Sequence, residues 1–259
     1  MTSASGPIVH RSSALTQFIL APNPGPMSLE GTNSYIVRAA GGPAAVVVDP
    51  GPLHEGHLQE LAGTGVALIL ITHRHPDHTG GAARLHHITG APVRAADPVH
   101  CHGGPVLTDN EIIRACGVEL RVLATPGHTS DSLSFHLPDD GPDGAVLTGD
   151  TVLGRGTTVL DFPDGSLADY LASLDRLEQL GPAMVLPAHG PVLPALDTVV
   201  RAYRSHRLDR LEQIRRALNV LGDRAGVHEV TDLVYSDVGP DVRKAAENSV
   251  AAQLAYLRR

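Results

Sequence analysis

The sequence predicts a fold that mixes β-strands with α-helices and ends in a predominantly helical segment. Up to Pro194, short apolar runs of strand length, bounded by Gly, Pro and Asp, alternate with stretches of helical periodicity. After Pro194 the apolar residues recur at helical spacing. Several His and Asp residues also follow predicted strands directly, in loops of the kind that carry binding and catalytic groups.

The elements of the first part follow from these patterns. Helices are predicted at 53–62 and 166–180. The second begins at Ser166, with Asp169 three residues later, which is a capping box with Asp in place of Glu. Strands are predicted at 34–37, 44–48, 67–71, 120–123, 132–136, 145–147 and 184–186.

The C-terminal part is predicted to be a small helical module. Further helices are expected at 227–234 and 242–257. We therefore divide the chain into a domain of mixed strands and helices, residues 1–195, and a helical module, residues 196–259. The first helix of this module is predicted from the spacing of Val200, Tyr203, Leu211, Ile214, Leu218 and Leu221.

Composition and charge exclude some classes of protein. No apolar run in the 259 residues approaches the roughly 18 that a membrane-spanning helix needs, so we expect no membrane protein. The first residues lack the pattern of a secretory signal, and two cysteines are too few for a disulfide framework, so a cytoplasmic location is expected. The net charge of −8 is uneven, with −11 in residues 1–200 and +3 in 201–259.

Four possible metal ligands lie within six positions, directly after the apolar run 66–71. They are His73, His75, Asp77 and His78. Imidazole and carboxylate groups are the usual nitrogen and oxygen ligands of zinc-like cations. His73 and His75 can bind one ion while the other two turn toward a second, but four ligands cannot complete two coordination spheres. More ligands are expected at strand ends in glycine-containing loops, and the candidates are His128, Asp150 and His189.

The motifs HxHxDH, PGHT, TGD and PAHG, in that order, resemble the metallo-β-lactamase fold superfamily, especially its glyoxalase II-like branch. The resemblance covers about residues 14–193. It implies an α+β fold, an αββα sandwich of two facing sheets with helices outside and metals at one edge. It also implies that metal 1 is bound by His73, His75 and His128, that metal 2 is bound by Asp77, His78 and His189, and that Asp150 bridges them.

The resemblance also implies the chemistry. Two neighbouring divalent cations acidify a water molecule and can stabilise both the attacking and the leaving atoms of a hydrolysis. We expect Asp77 to be catalytic, because its carboxylate can orient the attacking water as well as bind metal. Zinc is the expected ion, with manganese or iron as alternatives for this nitrogen and oxygen ligand set.

A closer resemblance lies in the segments LEGTNSYIV, VLGRGTTV and YRSHR, which are similar to the lactamase-β-like 2 family. Members of that family carry a C-terminal winged helix and include an endoribonuclease for single-stranded RNA. Residues 196–259 match the winged helix in position and size, although wing strands are not visible in the sequence.

The leading hypothesis is therefore a binuclear metal-dependent hydrolase of phosphodiesters, with single-stranded RNA as substrate. The charge of −11 on residues 1–200 opposes the binding of RNA, which is itself an anion. The arginines of residues 201–216 can either contact phosphates or pair with neighbouring acidic side chains. Candidate substrate-binding residues are Arg155, Arg207 and Asn33. Arg207 lies within the apolar stripe of its helix, so we expect it to pair with a buried carboxylate or a substrate anion.

Two alternatives stay open. The first is a glyoxalase II-like thioesterase, in which the same water attacks a thioester carbonyl. The second is a nucleic-acid or protein binding module in which the C-terminal part dominates. The sequence leaves the oligomeric state open, and a dimer is compatible with it. Only 39 positions separate Asp150 from His189, which excludes the large inserted domain of the β-CASP nucleases.

Overall fold

The computed structural model describes residues 8–236 and 238–258, and its centre is a pair of β-sheets. The first sheet has six strands in chain order: β1 (Val9–Arg11), β2 (Thr16–Leu20), β3 (Asn33–Val37), β4 (Ala45–Val48), β5 (Val66–Leu70) and β6 (Val93–Arg94). The second has five, in the spatial order β11 (Met184–Pro187), β10 (Ala145–Gly149), β9 (Leu133–Leu137), β8 (Val118–Ala124) and β7 (Ile112–Ala115).

The main core lies between the two sheets. Tyr35 and Val37 of β3 point into it, whereas Ile36, between them, points to the opposite face of the same sheet, as the period of two along a strand requires. From the second sheet, Leu120 and Phe135 fill the same space. Both faces of the first sheet are therefore buried.

Helices cover the outer faces of both sheets. On the first sheet lie α1 (Glu55–Ala62) and α3 (Ala82–Thr89), which follows the short helix α2 (Pro76–Thr79). On the second sheet lie α4 (Leu167–Glu178) and the first half of α5 (Leu196–Leu221). This layering confirms the expected α+β, αββα sandwich.

The C-terminal helices have a small core of their own. Ile214 of α5 packs with Val230 of α6 (Val227–Val234) and with Val250 and Leu254 of α7 (Pro240–Leu257). Between 196 and 258, the described residues form these three helices and no strand, so the winged-helix prediction is not confirmed. Among the described residues, no helix combines the length and the apolar character that a membrane span requires.

The first half of α5 ties this module to the sandwich. Val200 and Tyr203 belong to the cluster that packs on the outer face of the second sheet. The Tyr203 hydroxyl lies 3.0 Å from both the backbone nitrogen and the carbonyl of Leu153. The helical part thus packs directly against the loop that follows β10, and the division at residues 195 and 196 stays a proposal.

Candidate metal centre

Seven side chains with metal-ligating atoms meet at one edge of the sandwich. The loops and the short helix that carry them follow the carboxyl ends of β5, β8, β10 and β11. These ends lie at the same edge, so residues distant in sequence become neighbours. The structure brings together all the predicted ligands, in two groups: His73, His75, His128 and Asp150, and Asp77, His78 and His189.

The first group surrounds the Nδ1 atom of His75. The Nε2 atoms of His73 and His128 each lie 3.1 Å from it. The Oδ2 atom of Asp150 lies 3.6 Å from His128 Nε2 and 4.0 Å from His73 Nε2. Three ring nitrogens and one carboxylate oxygen therefore converge on one small volume.

The second group shares Asp150 with the first. Its other oxygen, Oδ1, lies 3.4 Å from His189 Nε2 and 3.7 Å from His78 Nε2. Asp77 Oδ2 lies 3.2 Å and 3.5 Å from the same two nitrogens. Asp150 thus presents one carboxylate oxygen to each group, which is the geometry of a bridging ligand.

The second nitrogen of each ring faces an oxygen acceptor, and this fixes the tautomers. The pairs are His73 with the Thr72 hydroxyl at 3.0 Å, His75 with Asp161 at 3.2 Å, His78 with Asp49 at 2.9 Å, His128 with the Val159 carbonyl at 2.6 Å, and His189 with the Gly31 carbonyl at 3.0 Å. Each of these nitrogens donates its proton outward. In a neutral ring the other nitrogen then directs a lone pair toward the centre, as in metal sites whose ligands are oriented by surrounding groups.

The inward atoms have few protein partners. His78 Nε2, His189 Nε2 and Asp150 Oδ1 are buried and accept or donate no hydrogen bond among the described residues. Lone pairs that face each other across so short a distance repel unless a cation lies between them. A donor set of imidazole and carboxylate groups suits zinc, manganese or iron. The residues therefore fit a pair of divalent metal ions.

Electrostatics differ between the two groups. Burial and the neighbouring imidazoles hold the pKa of His73 well below its ordinary value, so this ring is neutral and able to bind a cation. Burial also opposes protonation of His78, but nearby carboxylates, Asp49 the strongest, raise its pKa well above the ordinary value. Burial would raise the pKa of Asp77, yet His78 and His189 hold it far below its usual range. In the second group, an ionised Asp77 thus faces a His78 ring that binds a proton readily.

The chain matches the model of the metallo-β-lactamase superfamily over residues 27–189. The chain belongs to this superfamily. It is 33% identical over 271 residues to a β-lactamase-like protein 2 homolog of Caenorhabditis elegans, with 97% of this chain and 86% of that protein covered. It is 31% identical over 238 residues to an atrochrysone carboxyl ACP thioesterase of Aspergillus fumigatus, with 85% and 72% covered.

A solved structure extends the similarity to the whole fold. A metallo-β-lactamase family protein from Thermus thermophilus superposes with a TM-score of 0.76 at 25% identity, and 94% of this chain and 93% of that chain are covered. As a metallo-β-lactamase superfamily member, the chain is a hydrolase, and its fold implies divalent metal ions.

Two carboxylates that orient the ligands were not predicted from the sequence. Asp49, at the end of β4, accepts hydrogen bonds from Thr72 and from His78. Asp161 accepts one from His75 and forms an ion pair with Arg74. The signal available for Asp49 is its place directly after a predicted strand, in the sequence Asp-Pro-Gly.

A cavity of about 290 Å³ opens beside the metal centre of this superfamily member. His128 and Asp150 line it on one side, and residues of α5 and α7 line it on the other. Pockets for small-molecule ligands usually occupy roughly 300 to 1,000 Å³, so this cavity is at the small end of that range. The helical module is therefore part of the wall of the candidate active site.

The predicted substrate-binding residues take different positions. Arg155 and Arg207 both line the cavity, although Arg155 is exposed and forms an ion pair with Glu30 at 2.7 Å. The amide nitrogen of Asn33 donates to the carbonyls of Pro187 and Gly190, each at 2.9 Å. The Asn33 amide uses both of its N–H donors to join the two sheets. These hydrogen bonds give no support to a contact between Asn33 and substrate, which stays a prediction.

Proposed function

We propose that this protein is a binuclear metal-dependent thioesterase that hydrolyses a small acyl thioester. The observation that carries the proposal is the cavity beside His128 and Asp150, because it is small and apolar side chains form part of its lining. Leu153, Val159 and Val242 are among its lining residues. A short acyl group has the size and polarity to enter it.

The charges on α5 give less support to single-stranded RNA as the substrate. Arg201 pairs with Asp197 at 2.9 Å, and Arg204 pairs with Glu178 at 2.9 Å. Arg215 and Arg216 both lie near Glu212, at 3.8 Å and 3.3 Å. Arginines that are neutralised in this way offer little to a phosphate backbone. Phosphodiester hydrolysis is thus the second candidate, favoured by Arg207 and Arg210, which have no carboxylate partner among the described residues.

The similarity to an acyl carrier protein thioesterase supports the same choice. That relative is named for the hydrolysis of a thioester, and the chain covers most of its length. We take from it the class of bond and not the identity of the acyl group.

The reaction balances with water as the only co-substrate. Water adds to the carbonyl carbon, the carbon–sulfur bond breaks, the thiol leaves with one proton of the water, and the acid keeps the water's oxygen. A bound pair of divalent ions, which we propose to be zinc, would supply Lewis acidity and an acidified water. The seven side chains His73, His75, Asp77, His78, His128, Asp150 and His189 would hold these ions.

Asp77 is the proposed catalytic residue among the ligands. Its side chain is 32% exposed, more than that of Asp150 at 12%. His78 and His189 keep it ionised, so it can accept a hydrogen bond from the attacking water and hold that water at the carbonyl carbon. Its neighbours His78 and His189 are fully buried and cannot take this role.

The test compares substrates on the metal-loaded protein. S-lactoylglutathione, acyl thioesters of N-acetylcysteamine, single-stranded RNA and a generic phosphodiester are incubated with the wild type and with the double variant Asp77→Ala, His78→Ala. We expect hydrolysis of thioesters by the wild type and none by the variant, with the RNA uncut. Cleavage of RNA with every thioester intact would instead establish the phosphodiester hypothesis.

A further inference from the structure

The walls of the cavity differ in character, and the difference concerns the acyl group of the thioester proposed above. The wall from α7 presents Val242, Ala245 and Ala246. The wall from α5 presents two arginines, Arg207 and Arg210, which are three residues apart and therefore on one face of the helix. A cavity with an apolar wall and a cationic wall suits a ligand that is apolar along its length and anionic at one end.

Arg207 is a buried cation, and no carboxylate among the described residues lies within ion-pair distance of it. It is only 4% exposed, and its guanidinium lies over the ring of Tyr170, 5.0 Å from the centroid. One terminal nitrogen donates to the carbonyl of Thr158, but Nε has no partner among the described residues. The buried carboxylate that the sequence led us to consider is absent from those residues. Burial of an unpaired guanidinium is costly, and a ligand anion would offset that cost.

Arg210 adds a second cation on the same face. Its Nη1 donates to the side chain of Gln213 at 2.8 Å, and its guanidinium lies 4.8 Å from the ring centroid of Tyr235. No carboxylate lies within ion-pair distance of it among the described residues. Stacking on an aromatic ring fixes the orientation of a guanidinium without neutralising it. Within the part of the chain that the structure describes, no carboxylate neutralises either arginine, so both can bind one anion.

This anion site is close to the metal centre. The hydroxyl of Thr158 donates to the backbone carbonyl of Asp150 at 2.6 Å, and the carbonyl of the same residue accepts from Arg207. Thr158 thus contacts both Arg207 and Asp150, the predicted bridging ligand. The same cavity thus contains the two arginines and two of the candidate metal ligands, His128 and Asp150.

We propose that the cavity selects acyl groups that end in a carboxylate, with Arg207 and Arg210 binding that carboxylate. This inference rests on the proposed thioesterase function. The thioesterase reaction is unchanged, with water consumed and the carbon–sulfur bond broken, so the products are a dicarboxylate and a thiol. A phosphate on the carrier arm of the thioester is the other possible source of an anion, and the probes below separate the two.

The test uses two N-acetylcysteamine thioesters, which contain no phosphate. Glutaryl and 5-methylhexanoyl chains have the same length and shape, but the first ends in a carboxylate and the second in two methyl groups. The metal-loaded wild type is compared with Arg210→Gln and Arg207→Gln. The matched control is Arg201→Gln, on the same helix and paired with Asp197 away from the cavity. Arg210→Gln keeps the test decisive if Arg207→Gln fails to fold, because Arg210 is only half-buried.

We expect the wild type to prefer the glutaryl thioester in kcat/KM by about ten- to a hundredfold, the usual effect of hydrogen bonds to a charged group. Arg210→Gln should lose most of that preference, and Arg201→Gln should keep both the preference and the activity on each substrate. Equal kcat/KM for the two wild-type reactions would overturn the proposal. A second result would also overturn the proposal. In it, the wild type shows no preference for the glutaryl chain but prefers a coenzyme A thioester, which carries phosphates, and Arg210→Gln loses that preference for coenzyme A.

A binding measurement separates failure of this inference from failure of the thioesterase function. Glutaramate and 5-methylhexanamide, in which an amide replaces the thioester, are titrated into the metal-loaded protein by calorimetry. Tighter binding of glutaramate, by about tenfold and dependent on Arg210, supports the anion site even if neither thioester is hydrolysed. Equal binding of the two amides refutes it whatever the activity.

Discussion

Asp49 offers a test of how the metal ligands are oriented. Its side chain is 2% exposed. Its Oδ2 accepts hydrogen bonds from His78 Nδ1 at 2.9 Å and from the Thr72 hydroxyl at 2.7 Å, while Oδ1 accepts from the Thr72 backbone nitrogen at 2.8 Å. Asp49→Asn preserves volume and one acceptor oxygen. It replaces the other oxygen with an NH₂ group, which faces two donors.

The magnitude follows from these contacts. Each hydrogen bond to an ionised group contributes about 1.5 to 3 kcal/mol, and the Thr72 hydroxyl can rotate to recover its own. We therefore expect the metal-free variant to lose about 2 to 3 kcal/mol of unfolding free energy. His78 must also present a lone pair at Nδ1 to the new amide, which moves its proton to Nε2, the atom that faces Asp150. Loss of such an orienting partner typically weakens metal binding by about 10- to 100-fold.

Two assays measure these effects. Competition with a chromophoric chelator gives the affinity for each metal ion, and urea denaturation of the metal-free protein gives the unfolding free energy. Asp97→Asn is the control, because Asp97 accepts a hydrogen bond from the Val99 backbone nitrogen outside the metal centre. If Asp49→Asn bound both ions as tightly as the wild type, the reasoning about ring orientation would be refuted.

Two further substitutions test the same edge of the sandwich. Asp161→Asn removes the carboxylate that accepts from His75 Nε2 at 3.2 Å, so binding of the first metal ion should weaken by about tenfold in the chelator assay, and an unchanged affinity would contradict this role. Gly149→Ala places a Cβ 2.8 Å from the Thr72 Cβ at a backbone φ of +51°. We therefore expect the unfolding free energy, measured by urea denaturation, to fall by about 1 to 3 kcal/mol. An unchanged unfolding free energy would contradict this expectation.

The candidate ligands could be located from the sequence because they occur in short motifs at strand ends. His73, His75 and His78 follow β5 within a few residues, so their proximity is local. His128 and His189 could be added only because the same kind of loop recurs after later strands. Asp49 and Asp161 are single carboxylates without a motif, and their role depends on neighbours 23 to 86 positions distant.

The fold was predictable where burial makes strands apolar. The predicted segments 34–37, 44–48, 67–71 and 145–147 all overlap observed strands with buried residues. By contrast, β1 is exposed along its whole length and β6 has only two residues, so neither shows an apolar pattern. The ion pairs of the arginines on α5 also could not be predicted from the sequence, because Arg201 and Arg204 pair with Glu178, which lies on α4.

The stoichiometry of bound metal tests the central claim most directly. We propose elemental analysis of the purified protein after dialysis against metal-free buffer, beside the variant His128→Ala, His189→Ala, which removes one ligand from each group. A pair of transition-metal ions in each wild-type chain, and their loss from the variant, is the expected result. A wild-type protein that folds and hydrolyses its substrate without bound metal would contradict the account.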